Sequence, residues 1–205
     1  MNEVSPGEVL VYVVDDDSGV RDSLSLLLKS RGLASEAYAS ARTFLDAFEP
    51  ERTSCLIADI RMPGMSGLEL QSELNARKIG IPTIFITGHG DVPMAVNAMK
   101  AGAVDFLTKP FREEDLLDRV RMALGQAESE FQTQQRVREI RARYDSLTPR
   151  ESEVMDLVVQ GLANKVIAMD LGVSQRTVEL HRARVMQKMA VRSLAELVRS
   201  AEMLK

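Results

Sequence analysis

The sequence predicts an α/β fold at the front, a doubly wound parallel sheet of five strands, followed by a helical linker and an all-α domain of four helices. Three observations lead there. Short, near-continuous apolar runs alternate with amphipathic stretches through the first 124 residues, the pattern of parallel strands buried on both faces and separated by helices. From Gly125 to Ser146 the chain turns polar and charged, with no Pro. Beyond Ser146 the apolar residues keep helical spacing only. The expected divisions are 1–124, 125–145 and 146–205.

The elements follow in order. Val9–Val14 reads as a strand, and Val20–Leu28 as a helix with Leu24, Leu27 and Leu28 on one face, capped by Asp17-Ser18. Ala34–Tyr38 is a weaker strand, followed by a helix around Thr43–Phe48. Then come strand Cys55–Ala58, helix Gly67–Ala76, strand Thr83–Ile86, helix Val92–Ala101, strand Val104–Leu107 and helix Glu113–Leu124. The last helix is expected to continue as the linker. Leu117, Val120, Leu124, Ala127 and Phe131 keep a 3–4 spacing that Gln134 and Arg138 break, so a solvated spacer is expected rather than a dimeric coiled coil. Thr148-Pro149-Arg150-Glu151 has the form of an N-cap, Pro at the first helical position and Glu at the third. The helix it starts should stop at Gly161. Further helices are expected at Asn164–Leu171, Gln175–Met189 and from Ser193.

Composition is that of an ordinary soluble globular chain: 205 residues, 45% hydrophobic and 27% charged. No apolar stretch approaches the ~18 residues of a membrane span. The start lacks the basic segment and cleavage site of a secretory signal, and the single Cys excludes an intrachain disulfide or a Cys-based zinc site. The expected location is cytoplasmic. The net charge of −4 hides an asymmetry. Residues 1–124 carry 19 acidic and 13 basic side chains, whereas residues 146–205 carry 7 and 9. An acidic front half thus masks a mildly basic back half.

Two apolar strands end on carboxylates, Val13-Val14-Asp15-Asp16 and Ile57-Ala58-Asp59. In a doubly wound sheet, ligands bind at the carboxyl ends of strands where the order reverses. If these strands are neighbours, three carboxylates converge, and such a set calls for a counter-cation. Hard oxygen ligands suit Mg²⁺. Two further strand ends bring a hydroxyl, Thr87, and an ammonium, Lys109. Together these parts describe a phosphoryl-transfer site with Asp59 exposed at the sheet rim as the nucleophile toward phosphorus. A single Asp after a strand is more often a turn or cap residue, so the case rests on all of them falling on successive strand ends. The Gly-rich TGHGD lacks the GK[ST] ending of a P-loop, and His89 within it reads as a loop residue. Cys55 reads as a buried small hydrophobe.

In the back domain, a short helix, a turn at Gly172-Val173-Ser174 and a longer helix make a helix-turn-helix. Projected at ~100° per residue, the longer helix has a core side of Val178, Val185 and Met189, with His181 at its edge. Arg176, Leu180, Ala183 and Gln187 lie opposite, flanked by Glu179 and Arg184. Outward Leu180 and Ala183 suit thymine methyls, and Glu179 can accept from cytosine N4. Lys165, Arg176, Thr177, Arg182, Arg184 and Lys188 are candidates for phosphate contacts. Basic residues on a helix are as often merely solvated.

The motifs VVDDD, LIADIRMPGMSG, FITGHGDVP and GAVDFLTKPF make residues 9–124 resemble the receiver domain of a two-component response regulator, a flavodoxin-like fold. The resemblance implies phosphorylation on Asp59. It also implies Mg²⁺ held by Asp16 and Asp59, with Asp15 through water and the Arg61 carbonyl as a further ligand. It further implies a switch through Thr87, Phe106 and Lys109, and a cis Lys109–Pro110 bond. Phe106 lacks the hydroxyl that many members carry at that position. LTPRESEVMDLVVQGLANKVIAMDLGVSQRTVELHRARVMQKM resembles the LuxR-type four-helix DNA-binding module, so the whole chain looks like a NarL/FixJ-family regulator of the FixJ-like branch. Glu179 and Ala183 stand where some relatives carry Lys, so target sequence does not transfer.

The partners implied are a sensor histidine kinase, double-stranded promoter DNA, RNA polymerase and, on phosphorylation, a second copy. That copy would dimerise through Val92–Leu107, and the last helix, Ser193–Leu204, would pair the DNA-binding modules. No membrane and no enzymatic turnover are expected. Two alternatives stand beside this reading. One is an aspartate-nucleophile phosphatase, which a DxD spacing with a second downstream acidic pair would favour and which the sequence does not display. The other is a sigma-like contact with RNA polymerase.

Overall fold

The apolar run Leu10–Val14 is β1, and it pairs in parallel on both sides, with β2 (Ala34–Tyr38) and with β3 (Ser54–Asp59). β4 (Thr83–Thr87) and β5 (Asp105–Thr108) extend the sheet, giving the order β2-β1-β3-β4-β5. This computed structural model describes residues 9–50, 52–88 and 92–204. β1, β3 and β4 are buried along their whole lengths, while β2, the weaker strand, is a half-exposed edge.

Strand alternation sends side chains to two cores. Leu10, Tyr12, Val14, Leu56, Ala58 and Phe85 face one side, packed with residues of α2 (Ala41–Ala47), α3 (Gly67–Ala76) and α4 (Val92–Lys100). Val11, Val13, Cys55, Ile57, Ile84 and Ile86 face the other, under α1 (Ser18–Ser30) and α5 (Glu113–Asp145). The sheet is doubly wound, as expected. Helix starts follow their caps: Asp17 accepts from Gly19 N and Val20 N, and Ser66 with Glu69 forms a full capping box. Cys55 is fully buried, and burial pushes its thiol up to about 12. No described helix is long and apolar enough to cross a membrane.

The chain divides into two compact units between Phe131 and Gln132, within α5. Leu117, Val120, Leu124 and Ala127 are buried in the first unit, while Gln134 and Arg138 are exposed. Ile140 then packs with Val154, Met155 and Val158, and Tyr144 joins the same cluster. The end of the linker is therefore part of a core, because apolar residues return at i, i+4 where the earlier spacing had lapsed.

The second unit is helical. α6 (Pro149–Val159) starts in a capping box between Thr148 and Glu151 and stops before Gly161, whose φ of 85° suits glycine. α7 (Asn164–Asp170), α8 (Gln175–Lys188) and α9 (Leu194–Glu202) follow. Ala190, just past the Met189 cap of α8, is a non-glycine with φ 52°. A left-handed conformation costs an L-residue about 1–2 kcal/mol, against roughly 0.5–1 kcal/mol of extra chain entropy for Gly. Ala190→Gly is therefore expected to stabilise this unit by about 0.5–1 kcal/mol, read as a higher unfolding midpoint in urea.

Candidate functional site

Register builds the first site. Val14 lies opposite Ala58, Asp59 opposite Ile86, and Thr87 opposite Thr108. Asp15 and Asp16, Asp59, Thr87 and Lys109 therefore leave four adjoining strands along one edge of the sheet. β1 and β3 flank the point where strand order reverses, the place where open α/β sheets hold ligands.

One carboxylate oxygen each from Asp15, Asp16 and Asp59 lies within 4.8 Å of the others. Lys109 Nζ donates to Asp15 Oδ2 at 2.7 Å and to Asp59 Oδ2 at 3.3 Å. The backbone fastens the same carboxylates: Asp17 N donates to Asp15 Oδ1, and Arg61 N to Asp59 Oδ1. Burial draws the Lys109 ammonium down, but its bond to Asp15 and the charges of Asp15 and Asp59 outweigh that and raise it. The side chain is thus a standing cation inside the acidic cluster.

Asp59 departs from expectation. It is recessed, 8% exposed, because Lys109 lies over it at the end of β3. Asp15 is fully buried, whereas Asp16 is exposed. Thr87 is buried at the end of β4, and Phe106 is half-buried against the first core. The Lys109–Pro110 bond is cis. Arg61 has an exposed side chain, and only its backbone N–H is seen to touch Asp59. His89 lies outside the described residues. An all-oxygen set of three converging carboxylates, with no nitrogen or sulfur ligand among the described residues, fits Mg²⁺.

Gly67 fits this site by having no side chain. A Cβ there would strike the Asp59 carbonyl and come within 3.0 Å of Phe85 Cε1 and 3.1 Å of Ile60 Cα. Backbone cannot give as a flexible side chain can. Gly67→Ala is expected to cost about 1–3 kcal/mol, measured as a lower urea midpoint, and to displace the β3–α3 connection that carries Asp59.

The second site lies on α8. Val178, Val185 and Met189 are buried and His181 is half-buried, as the projection predicts. Arg176, Glu179, Leu180, Ala183 and Arg184 are exposed, with Leu180 at 52%, and Lys165 on α7 is exposed too. Three expected phosphate contacts are engaged within the unit. The Thr177 hydroxyl lies 2.8 Å from Ser174 Oγ in the α8 cap, and Arg182 Nη1 donates to Asn164 Oδ1. Lys188 is the third. Its ammonium bonds Glu151 Oε2 at 2.6 Å and the Ser146 carbonyl at 2.9 Å, so it is turned into the domain.

Two residues escaped the sequence reading. Arg21 Nη1 donates to the Asp15 carbonyl at 2.7 Å and steadies the β1–α1 turn; its place one turn inside α1 beside an acidic strand end was the available signal. Glu151 was read as a helix cap and is also the partner of Lys188, 37 residues on, which no local pattern reveals.

The response regulator receiver domain family matches residues 11–121, and the luxR family of bacterial regulatory proteins matches 145–201. The chain belongs to the response regulators. Among its relatives, Nodulation protein W of Bradyrhizobium diazoefficiens is 49% identical over 96% of this chain and 87% of its own length. Transcriptional regulatory protein FixJ of Azorhizobium caulinodans is 50% identical over 96% and 93%. The solved structure of response regulator StyR matches with a TM-score of 0.85 at 48% identity, over 96% of this chain and 99% of its own. A receiver domain joined to a LuxR-type module makes this response regulator a two-component transcriptional regulator.

Proposed function

We propose that this response regulator takes a phosphoryl group onto Asp59 from the phosphohistidine of a sensor kinase and, in that state, dimerises and binds promoter DNA. An Asp59 carboxylate oxygen attacks phosphorus, the P–N bond breaks, and the imidazole leaves. Mg²⁺, held by Asp15, Asp16 and Asp59 with the Arg61 carbonyl, would offset charge on the transferring group. Lys109 exchanges its bond to Asp59 for one to a phosphoryl oxygen, and Thr87 donates to another. Phe106 follows Thr87 inward. The observation that carries the reading is Asp59 set among Asp15, Asp16 and Lys109 at the switch point of the sheet.

Exposed Val96 and Met99 on α4 support a dimer face there, and exposed Leu194 one on α9. On DNA, α8 enters the major groove with Glu179, Leu180 and Ala183 toward the bases. Arg176, Arg184 and Lys165 reach phosphates, as do Thr177 and Arg182 once their internal bonds yield. RNA polymerase is the further partner at the promoter, and the whole proceeds in the cytoplasm. By linkage, a phosphorylated dimer that binds a two-fold operator better is itself favoured by DNA. Genomic footprinting of the wild type with acetyl phosphate and Mg²⁺ should reveal protected sites that fade without the donor. Footprints indifferent to the donor would overturn this reading.

A further inference from the structure

Lys188 sits at the last turn of α8, where a basic residue on a DNA-reading helix is expected to meet phosphate. The geometry points elsewhere. Its Nζ is within 2.6 Å of Glu151 Oε2 and 2.9 Å of the Ser146 carbonyl. The same Glu151 oxygen accepts from Thr148 N at 2.9 Å, and Glu151 N donates back to Thr148 Oγ1. Glu151 is 2% exposed. An ammonium that left for a phosphate would strand this buried carboxylate without its counter-charge, a costly exchange. Two bonds from one ammonium thus tie the carboxyl end of α8 to the turn that opens α6.

We propose that Glu151 and Lys188 form a pin that fixes α8 against the start of α6, so that Lys188 is a positioning residue for DNA reading and makes no phosphate contact. The proposal rests on α8 being the DNA-reading helix. Glu151 cannot itself reach DNA, yet on this view it matters to binding as much as Lys188 does. The Lys188 bond and the backbone N–H of Thr148 also hold the Glu151 carboxyl at about 2, below its ordinary 4.5. The pin therefore persists above pH 4.5 and is lost as pH falls toward 2.

The test uses the full chain, treated with acetyl phosphate and Mg²⁺, and a labelled random-sequence duplex of about 30 base pairs. Binding is followed by anisotropy from 50 to 200 mM salt. Each phosphate contact contributes ~0.9 to the slope of log K against log salt. Glu151→Gln and Lys188→Met each break half of the pin and are expected to weaken binding with the slope unchanged. Because either single variant leaves a buried polar group unpaired and risks unfolding, the double variant Glu151→Met with Lys188→Met decides the matter. An apolar pair of similar volume can replace a buried ion pair without loss of fold, so the double variant is expected to keep the wild-type slope and an affinity within ~3-fold. A slope lower by about one in Lys188→Met and in the double variant, with Glu151→Gln binding as well as wild type or better, would overturn the pin. Wild type that binds no duplex at any salt would instead remove the DNA-reading role on which it rests.

Discussion

Asp59→Asn is expected to incorporate no phosphoryl group from acetyl phosphate, while the protein folds at least as stably as the wild type. The first half follows from chemistry, since a carboxamide lacks the anionic oxygen that attacks phosphorus. The second follows from electrostatics. Three carboxylates converge here, and the cation seen among them is Lys109. Removing one negative charge relieves repulsion and leaves the 2.7 Å bond from Lys109 to Asp15 in place. Radiolabelled acetyl phosphate with the two proteins side by side, plus a urea melt of each, measures both halves. Label persisting in Asp59→Asn would move the nucleophile to Asp16, the exposed member of the cluster. A variant that fails to fold would mean Asp59 is structural.

Lys109→Met should have the opposite effect on stability. It removes the ammonium and leaves Asp15, fully buried, beside Asp59 with no counter-charge. Stripping one partner from a buried ion pair costs about 3–5 kcal/mol. The Lys109 side chain is 23% exposed, which favours the lower figure. Amide exchange along β1 and β3 reports on this unit alone, and about 3 kcal/mol corresponds to roughly two orders of magnitude of lost protection. Mg²⁺ added at ~100 times its dissociation constant would restore ~2.7 kcal/mol, so protection in Lys109→Met should depend on Mg²⁺ more steeply than in the wild type.

The pH dependence follows from the same pair. The Lys109 pKa is raised above its ordinary 10.5, so its contribution is complete below that pH. The contribution then fades as pH climbs through the raised value. Lys109→Met should lack this alkaline step, and equal protection in the two proteins would show that the ion pair contributes nothing.

The strand ends were the most legible part of the molecule. Val13-Val14-Asp15-Asp16 and Ile57-Ala58-Asp59 break an apolar run with charge at the same height, and β1–β3 pairing brings them together as that pattern implies. The caps at Asp17 and Thr148 were legible for the same reason, because capping acts over three or four residues. What periodicity could not supply was the direction of a long, flexible side chain. Lys188 projects onto a flank of α8 and nevertheless turns inward, because its partner comes from the start of another helix. Asp59 read as exposed because a strand end is solvated unless something covers it, and Lys109 does so from 50 residues away. Ile140 was hidden by the polar residues around it, and only the core it enters shows that the linker has ended.

Cys55, the single thiol of this regulator, lies in the middle of the sheet with its pKa pushed up to about 12. Maleimides and iodoacetamides attack thiolates at accessible sites, so the native protein should be nearly inert to them. A cysteine engineered on α4, α8 or α9 can then carry a fluorophore or spin label without first mutating the natural one. The chain is, in its folded state, a ready background for distance measurements across the proposed phosphorylation cycle.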